Sequence, residues 1–435
     1  MVASLKYFVH LISLPALYAL EFGISIFSIF REPKWGLLFM VFFVSQPNIW
    51  YKFQNMPLGN SFLDVLFVSV SLGMFVRKRE FVRGRNSLFV VLLVCLSYLS
   101  VWNSSLRFGL GMPISKSNSV LLDWKNYAEM MLLYFLVVNV VREEKDQKAF
   151  VTCLSIVVLI ISVRCFRGFG VTGNFDWGNR MVGPFYVENL GPNHLGAFIA
   201  EYTAAIWGLL LFEKGKLRRA LFLATCLFAF YPLLYSYSRA GYLAFFVALT
   251  FLGVFGRRVL LVFVIFGVLA WQSALPSSVV DRIDMTEEGN GDLEQSAAMR
   301  ITLWEEAMQQ FREHPVFGLG FNGFNLREEG AVRGMRDTHN YYVKVLAEEG
   351  IVGFCLLIAT LVRAFWSGLL LRQKGKTAFQ RGLGLAFMAC VIATTITNMF
   401  GDRFSQFSIG SFFWILWGLV DRGIVLSKES LEREY

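Results

Sequence analysis

Apolar stretches long enough to cross a lipid bilayer recur along almost the whole chain, and no other feature limits its fold so severely. A helix needs ~20 mainly apolar residues to span the hydrocarbon layer. Runs near that length lie at 6–30, 35–53, 60–76, 87–102, 121–141, 148–166, 193–212, 217–236, 239–255, 258–275, 351–371, 380–400 and 404–424. Hydrocarbon offers no water to a bare peptide group, so each run must satisfy its own backbone as a helix. Only 17% of the 435 residues are charged and 55% are apolar, whereas a soluble domain carries about a quarter charged. Disorder, collagen, coiled coil and a soluble two-domain enzyme are excluded. The expectation is an all-α, polytopic integral membrane protein with about 12–13 transmembrane helices.

Basic residues orient it. Arg31/Lys34, the 77–85 cluster, Arg142/Lys145/Lys148, Lys214/Lys216/Arg218/Arg219, Arg257/Arg258, Arg372/Lys374/Lys376/Arg381 and Arg422/Lys428 occupy one alternate set of short connections. Short loops rich in Lys and Arg stay cytoplasmic, so the net charge of +9 reflects topology and not nucleic-acid binding. Thirteen spans with a cytoplasmic C-terminus place the N-terminus outside; a helical hairpin at 6–30 would place both ends inside. That first stretch holds Glu21 and lacks a small-x-small site, so it reads as a span and not a cleaved leader. Cys95, Cys153, Cys165, Cys226, Cys355 and Cys390 lie in or beside apolar runs without a C-x-x-C pair, and His10, His194, His314 and His339 show no H-x-x-x-H spacing. No metal site is expected.

The chain divides into helices with short outer loops over 1–275, a large outer segment at 276–350, and C-terminal helices with a cytoplasmic tail over 351–435. A compact membrane protein does not need a connection of that length, and long loops are usually functional. The segment opens on an acidic run, 284–294, whose spacing fits no calcium loop and reads as a solvated loop. Residues 296–315 read as an amphipathic helix ended by Pro315. Leu303, Trp304, Ala307, Met308 and Phe311 form its apolar stripe, with Thr302, Glu306, Gln309 and Glu313 opposite. Arg300 falls within the apolar stripe. It either meets an anion on the membrane-side body or is a snorkelling, structurally paired arginine. The glycines of 315–324 suit a packed turn better than a phosphate loop, since no Lys-Ser/Thr follows. Asp337 or Thr338 can cap a short helix ending at Gly350, with His339 in its first turn beside Tyr342, Val343 and Leu346. A helix N-terminus disfavours the imidazolium, so His339 would be neutral and able to accept a proton; the plainer reading is a bond to a loop carbonyl. On the same side, Arg239 begins a span directly after the short 236–238 connection. Its charge opposes the helix dipole there unless an anion intervenes. Arg180 and His194 flank Gly191-Pro192-Asn193, as support or as ordinary loop residues.

Ser238-Arg239-Ala240-Gly241, Arg300-x-x-x-Trp304, Pro315-x-x-Gly318-x-Gly320, His339-Asn340 and Leu346-Ala347-Glu348-x-Gly350, with Arg180, Gly183 and Pro192-Asn193 upstream, together resemble the bacterial O-antigen ligase and polymerase family. The motifs span roughly 175–365, and the thirteen apparent spans differ from the twelve expected of the ligases. The resemblance implies a metal-independent, inverting, GT-C-like glycosyltransferase of the inner membrane, without a cofactor. Its donor would be an undecaprenyl-diphosphate glycan, and its active site would face the periplasm. In ligases the acceptor is a sugar hydroxyl of lipid A–core; in polymerases it is a lipid-linked glycan, and relatives modify protein hydroxyls. Carried over by motif, Arg239 and Arg300 would hold the diphosphate and His339 would act on the acceptor hydroxyl. Arg180, Asn193, Trp304 and Asn340 would support them. A transporter or lipid flippase would instead need polar groups along a two-sided path.

Overall fold

The computed structural model describes residues 2–78, 80–170, 175–176, 178–285, 295–327 and 337–432, with side chains described from Leu14. Arg79 of the basic cluster and most of the acidic run, 286–294, lie outside the described residues.

All regular structure among the described residues is helical. The first third comprises α1 (Val2–Phe30), α2 (Pro33–Val44), α3 (Pro47–Trp50), α4 (Phe62–Val76), α5 (Ser87–Phe108) and α6 (Ser119–Val140). Next come α7 (Glu144–Gly168), α8 (Pro192–Leu210), α9 (Lys216–Tyr235), α10 (Arg239–Phe255), α11 (Val259–Ala274) and α12 (Ser277–Asp284). The remainder holds α13 (Gln295–Glu313), α14 (Tyr341–Lys374), α15 (Ala378–Thr397) and α16 (Phe407–Glu432).

Every apolar run expected to span contains a helix, but only seven helices among the described residues are long and apolar enough to cross a membrane by those criteria alone. The count is eight if α11 and α12, bent by 103° at their junction, form one span. The shortfall from twelve or thirteen has a physical origin. The apolar helices α2 and α10 are shorter than a full crossing, α1 enters the count only from Leu14, and α6 carries Asp123, Lys125 and Glu129 in its N-terminal half. The first run is one continuous helix, not a hairpin.

Lipid tails are as apolar as leucine, so close packing of small residues, not water exclusion, holds membrane helices together. The centre of the protein is α8 against α15, flanked by α10 and α14. A Cβ on Gly208 of α8 would lie 2.5 Å from the Cα of Ala386 on α15. One on Gly241 of α10 would lie 2.9 Å from the carbonyl of Gly196 on α8. That second approach fixes the outer end of α10, where Arg239 sits, against α8. Polar groups within the bundle partner one another: buried Asp421 accepts hydrogen bonds from Tyr134 at 2.5 Å and from the Asn86 side chain at 2.9 Å, and Arg363 donates to Asn86. Charge is therefore also present inside the bundle, where these bonds to Asp421 fall on one carboxyl oxygen and its other oxygen is buried without a partner among the described residues.

At the end of the bundle where Arg239 sits, α13 lies along the first turns of α14, burying Leu303 and Ala307 completely. Thr302, Gln309 and Glu313 are exposed, as helical phase requires, while Glu306 pairs with Arg327 at 2.6 Å. The 315–324 segment is a packed turn that bridges α5 and α14. The amides of Leu319 and Gly320 donate to the carbonyls of Ala347 and Glu348 at 2.9 and 2.7 Å, and that of Phe321 donates to Ser100 at 3.1 Å. Gly350 interrupts α14 at φ 64°, ψ −160°, a conformation only glycine adopts readily. A Cβ there would lie 2.4 Å from the backbone of Val316. Gly350→Ala should therefore lower the midpoint of thermal denaturation by an amount corresponding to about 1–3 kcal/mol. Gly267→Ala on α11, where a Cβ would meet nothing within 4 Å, should not lower it in the same fluorimetric melt.

Candidate active site

Three separate stretches of chain converge at one rim of the bundle. The first is the α9–α10 turn. Tyr237 adopts a left-handed backbone, φ 51°, which reverses the chain within three residues. Ser238 then caps α10 by accepting from the amide of Gly241 at 3.2 Å. Arg239 is thus the first residue of the helix, as its sequence position predicts, and its Nη1 donates to the carbonyl of Met285 just beyond α12 at 3.0 Å. Arg180 braces the same turn. Its guanidinium donates to Ser236 O at 2.9 Å, to Tyr237 O at 3.3 Å and to the side chain of Asn193 at 2.8 Å. Both residues therefore support the turn that presents Arg239.

The second stretch is α13. Trp304 donates its indole N–H to the carbonyl of Thr338 at 2.8 Å, which ties this helix to the segment bearing the histidine. Arg300, half-buried and one turn earlier, lies on the same face of α13.

The third stretch is 337–340, and here the expected cap is displaced. Asn340, not Asp337 or Thr338, caps α14, accepting from the amides of Tyr342 and Val343 at 3.1 and 3.3 Å. An amide side chain next to the first helical residue wins over hydroxyl and carboxylate groups further back, so His339 stands outside the helix and not in its first turn. It is left-handed, φ 51°, a region that histidine enters more often than most residues. Asp337 holds it there. The carboxylate accepts the His339 amide at 3.0 Å and lies 3.3 Å from Nδ1 of the ring. Nδ1 thus faces the carboxylate, while Nε2 has no hydrogen-bond partner among the described residues.

Electrostatics link the three stretches. Burial pushes the Arg180 guanidinium down to about 10, and the positive charges of Arg282, Arg239 and Arg300 act in the same direction. Burial likewise pushes Arg403 down to about 10 against the pull of Asp337 and Asp402, and here again the charge of Arg300 adds to the effect. The field of Arg300 thus reaches both arginines, and Asp337 lies within the same field. Arg403 is almost wholly buried, and its Nη1 lies 2.6 Å from Nε2 of His194 in the first turn of α8. Among the described residues the rim gathers several guanidinium groups, and Asp402 is bound to Lys344 at 2.7 Å. Such a site favours an anion with several oxygens, because planar guanidinium forks match phosphate geometry.

Residues 224–358, from α9 to α14, match the family model described as O-antigen ligase. Over these residues the chain is similar to that family. No curated protein matches the chain. The matched region contains Arg239, Arg300, Trp304, Asp337 and His339, while Arg180, His194 and Arg403 lie outside it. Arg282, Arg403 and the role of Asp337 were not anticipated from sequence. The one available signal was an Asp-Arg pair at the mouth of the 404–424 run, where charge beside hydrocarbon marks function.

Burial raises the Asp337 carboxyl, but the hydrogen bond from His339 and the charge of Lys344 outweigh it, and the net shift is strongly downward. A carboxyl depressed in the folded state stabilises the fold above its unfolded value of about 3.9, and that contribution is lost as pH falls toward the folded value. The melting difference between wild type and Asp337→Asn should be constant from pH 8 to about 5 and shrink below about 4, as read in a pH series of thermal melts.

Proposed function

We propose that this site transfers a glycan from undecaprenyl diphosphate to a sugar hydroxyl of lipid A–core at the periplasmic face of the inner membrane. The observation that carries the reading is the Trp304–Thr338 hydrogen bond, because it joins the arginine-bearing helix to the segment that presents His339. Arg239 and Arg300 hold the diphosphate, and Arg403 adds to the positive field they share. The acceptor oxygen attacks the anomeric carbon while the bond from that carbon to the diphosphate oxygen breaks. The bonding pair leaves on the diphosphate, where guanidinium groups stabilise the growing charge in the role a metal ion plays elsewhere. The acceptor proton passes to Nε2 of His339, and Asp337 stabilises the imidazolium that forms through Nδ1. One nucleophile, one leaving group and no covalent intermediate give inversion at the anomeric carbon.

Transfer by purified enzyme should proceed in EDTA. His339→Ala should lose ~10²–10⁴-fold of the rate, and Arg239→Ala and Arg300→Ala should lose transfer while melting as cooperatively as wild type. Full transfer by all three variants would overturn the assignment. Supplying lipid A–core or a second lipid-linked glycan as the sole acceptor separates ligase from polymerase: chain extension without core would replace the ligase reading with the polymerase.

A further inference from the structure

The bridging turn at 315–324 roofs a second, chemically opposite space. Beneath it, between α5 and α14, lies an apolar chamber of about 450 Å³, walled by residues such as Leu96, Met131, Leu356 and Leu357. Leu99 and Leu106 of α5 and Phe317 of the turn also border it and are largely exposed, so the chamber opens toward the lipid side of the bundle. A polar chamber of about 310 Å³ adjoins it. Tyr127, Tyr341, Val345 and Glu349 line both chambers, and the two tyrosine hydroxyls lie 3.4 Å apart. Each chamber is at the low end of the ~300–1,000 Å³ typical of small-molecule sites.

The polar chamber is rich in acceptors. Asp123, Glu188, Glu348 and Glu349 face it, and its one cation, Lys344, is already bound to Asp402. Asp123 accepts from Asn322, Glu188 from Ser408, and Glu348 from the amide of Phe324. The second oxygen of Glu188 is buried without a partner, and Glu349 makes no hydrogen bond among the described residues. In the apolar chamber, wholly buried Trp414 likewise leaves its indole N–H unpartnered. Phe321 and Phe407 add flat apolar faces to the polar side. Carboxyl groups interspersed with amide and hydroxyl side chains such as Asn126, Gln406 and Ser405, set beside aromatic faces, suit a ring that carries hydroxyl or ammonium groups. Carboxylates repel phosphate, which the arginine rim attracts.

We propose that the two chambers form one site for a glycolipid, its hydrocarbon chain between α5 and α14 and its uncharged or amine-bearing sugar among the carboxylates. The polar end reaches Tyr341, two residues from His339. As the acceptor side of the transfer it rests on the function proposed above; as a binding site it does not. The Lys344–Asp402 pair stands between it and Arg403.

The test uses the full chain in phospholipid nanodiscs with three photoreactive probes that share a diazirine-bearing dodecyl chain: a glucoside, a glucosaminide and a phosphate. Both glycosides should label α5 and α14 in competition with unlabelled glycoside, and the phosphate should label them at least ~10-fold less. Leu96→Trp and the milder Leu356→Phe, which fill the apolar chamber, should each reduce glycoside labelling. Glu349→Gln should reduce glucosaminide labelling more than glucoside labelling. Equal labelling by phosphate, or labelling undiminished in both filled variants, would overturn the proposal. Labelling retained in His339→Ala separates this site from the transfer reading, which can then fail without it.

Discussion

Guanidinium groups repel one another, and this protein gathers several at one rim of a low-dielectric bundle. Arg180 and Arg403 both feel Arg300, and Arg180 also feels Arg239 and Arg282. Planar guanidinium forks gathered in this way match the geometry of an anion with several oxygens. The architecture around the rim serves to hold these charges in place. Arg180 is fixed by the carbonyls of the α9–α10 turn, Arg239 by the start of α10, and Arg403 by contact with His194. A polyvalent anion is the natural complement to this field, and the His339 imidazole is held by the Asp337 carboxylate.

Holding parts so distant in sequence requires backbones that approach closely. Gly196 and Gly241 let α8 and α10 touch at the arginine turn, and Gly318, Gly320 and Gly350 let the 315–324 turn press on both α5 and α14. These glycines explain a motif whose spacing superficially suggests a phosphate loop. Its work is mechanical: it seats α13 and the 337–340 segment over the bundle, and in doing so encloses two chambers whose chemistry is opposite to that of the arginine rim.

Much of this was legible in the chain. Apolar runs marked every helix of the bundle, since period and length suffice for that. Arg239 was legible because a cation at a helix N-terminus contradicts the dipole, and Arg300 because it breaks an apolar stripe. Other features depended on tertiary context. Asn340 took the cap from its neighbours, moving His339 out of the helix, and no local pattern distinguishes these adjacent capping residues. The partnership of Asp337 with His339 follows from that displaced cap. Arg403 sits at the edge of an apolar run, where a snorkelling and an inward-facing arginine look alike, and only its burial against His194 separates them.

The central claim is that the arginine rim binds diphosphate independently of the histidine. Titrating undecaprenyl diphosphate into the purified protein by native mass spectrometry, at fixed ionic strength, addresses it directly. The account predicts affinity at least ~10-fold weaker in Arg239→Gln and in Arg300→Gln, and affinity unchanged in His339→Ala. Equal affinity for all four proteins, or loss confined to the histidine variant, would contradict it.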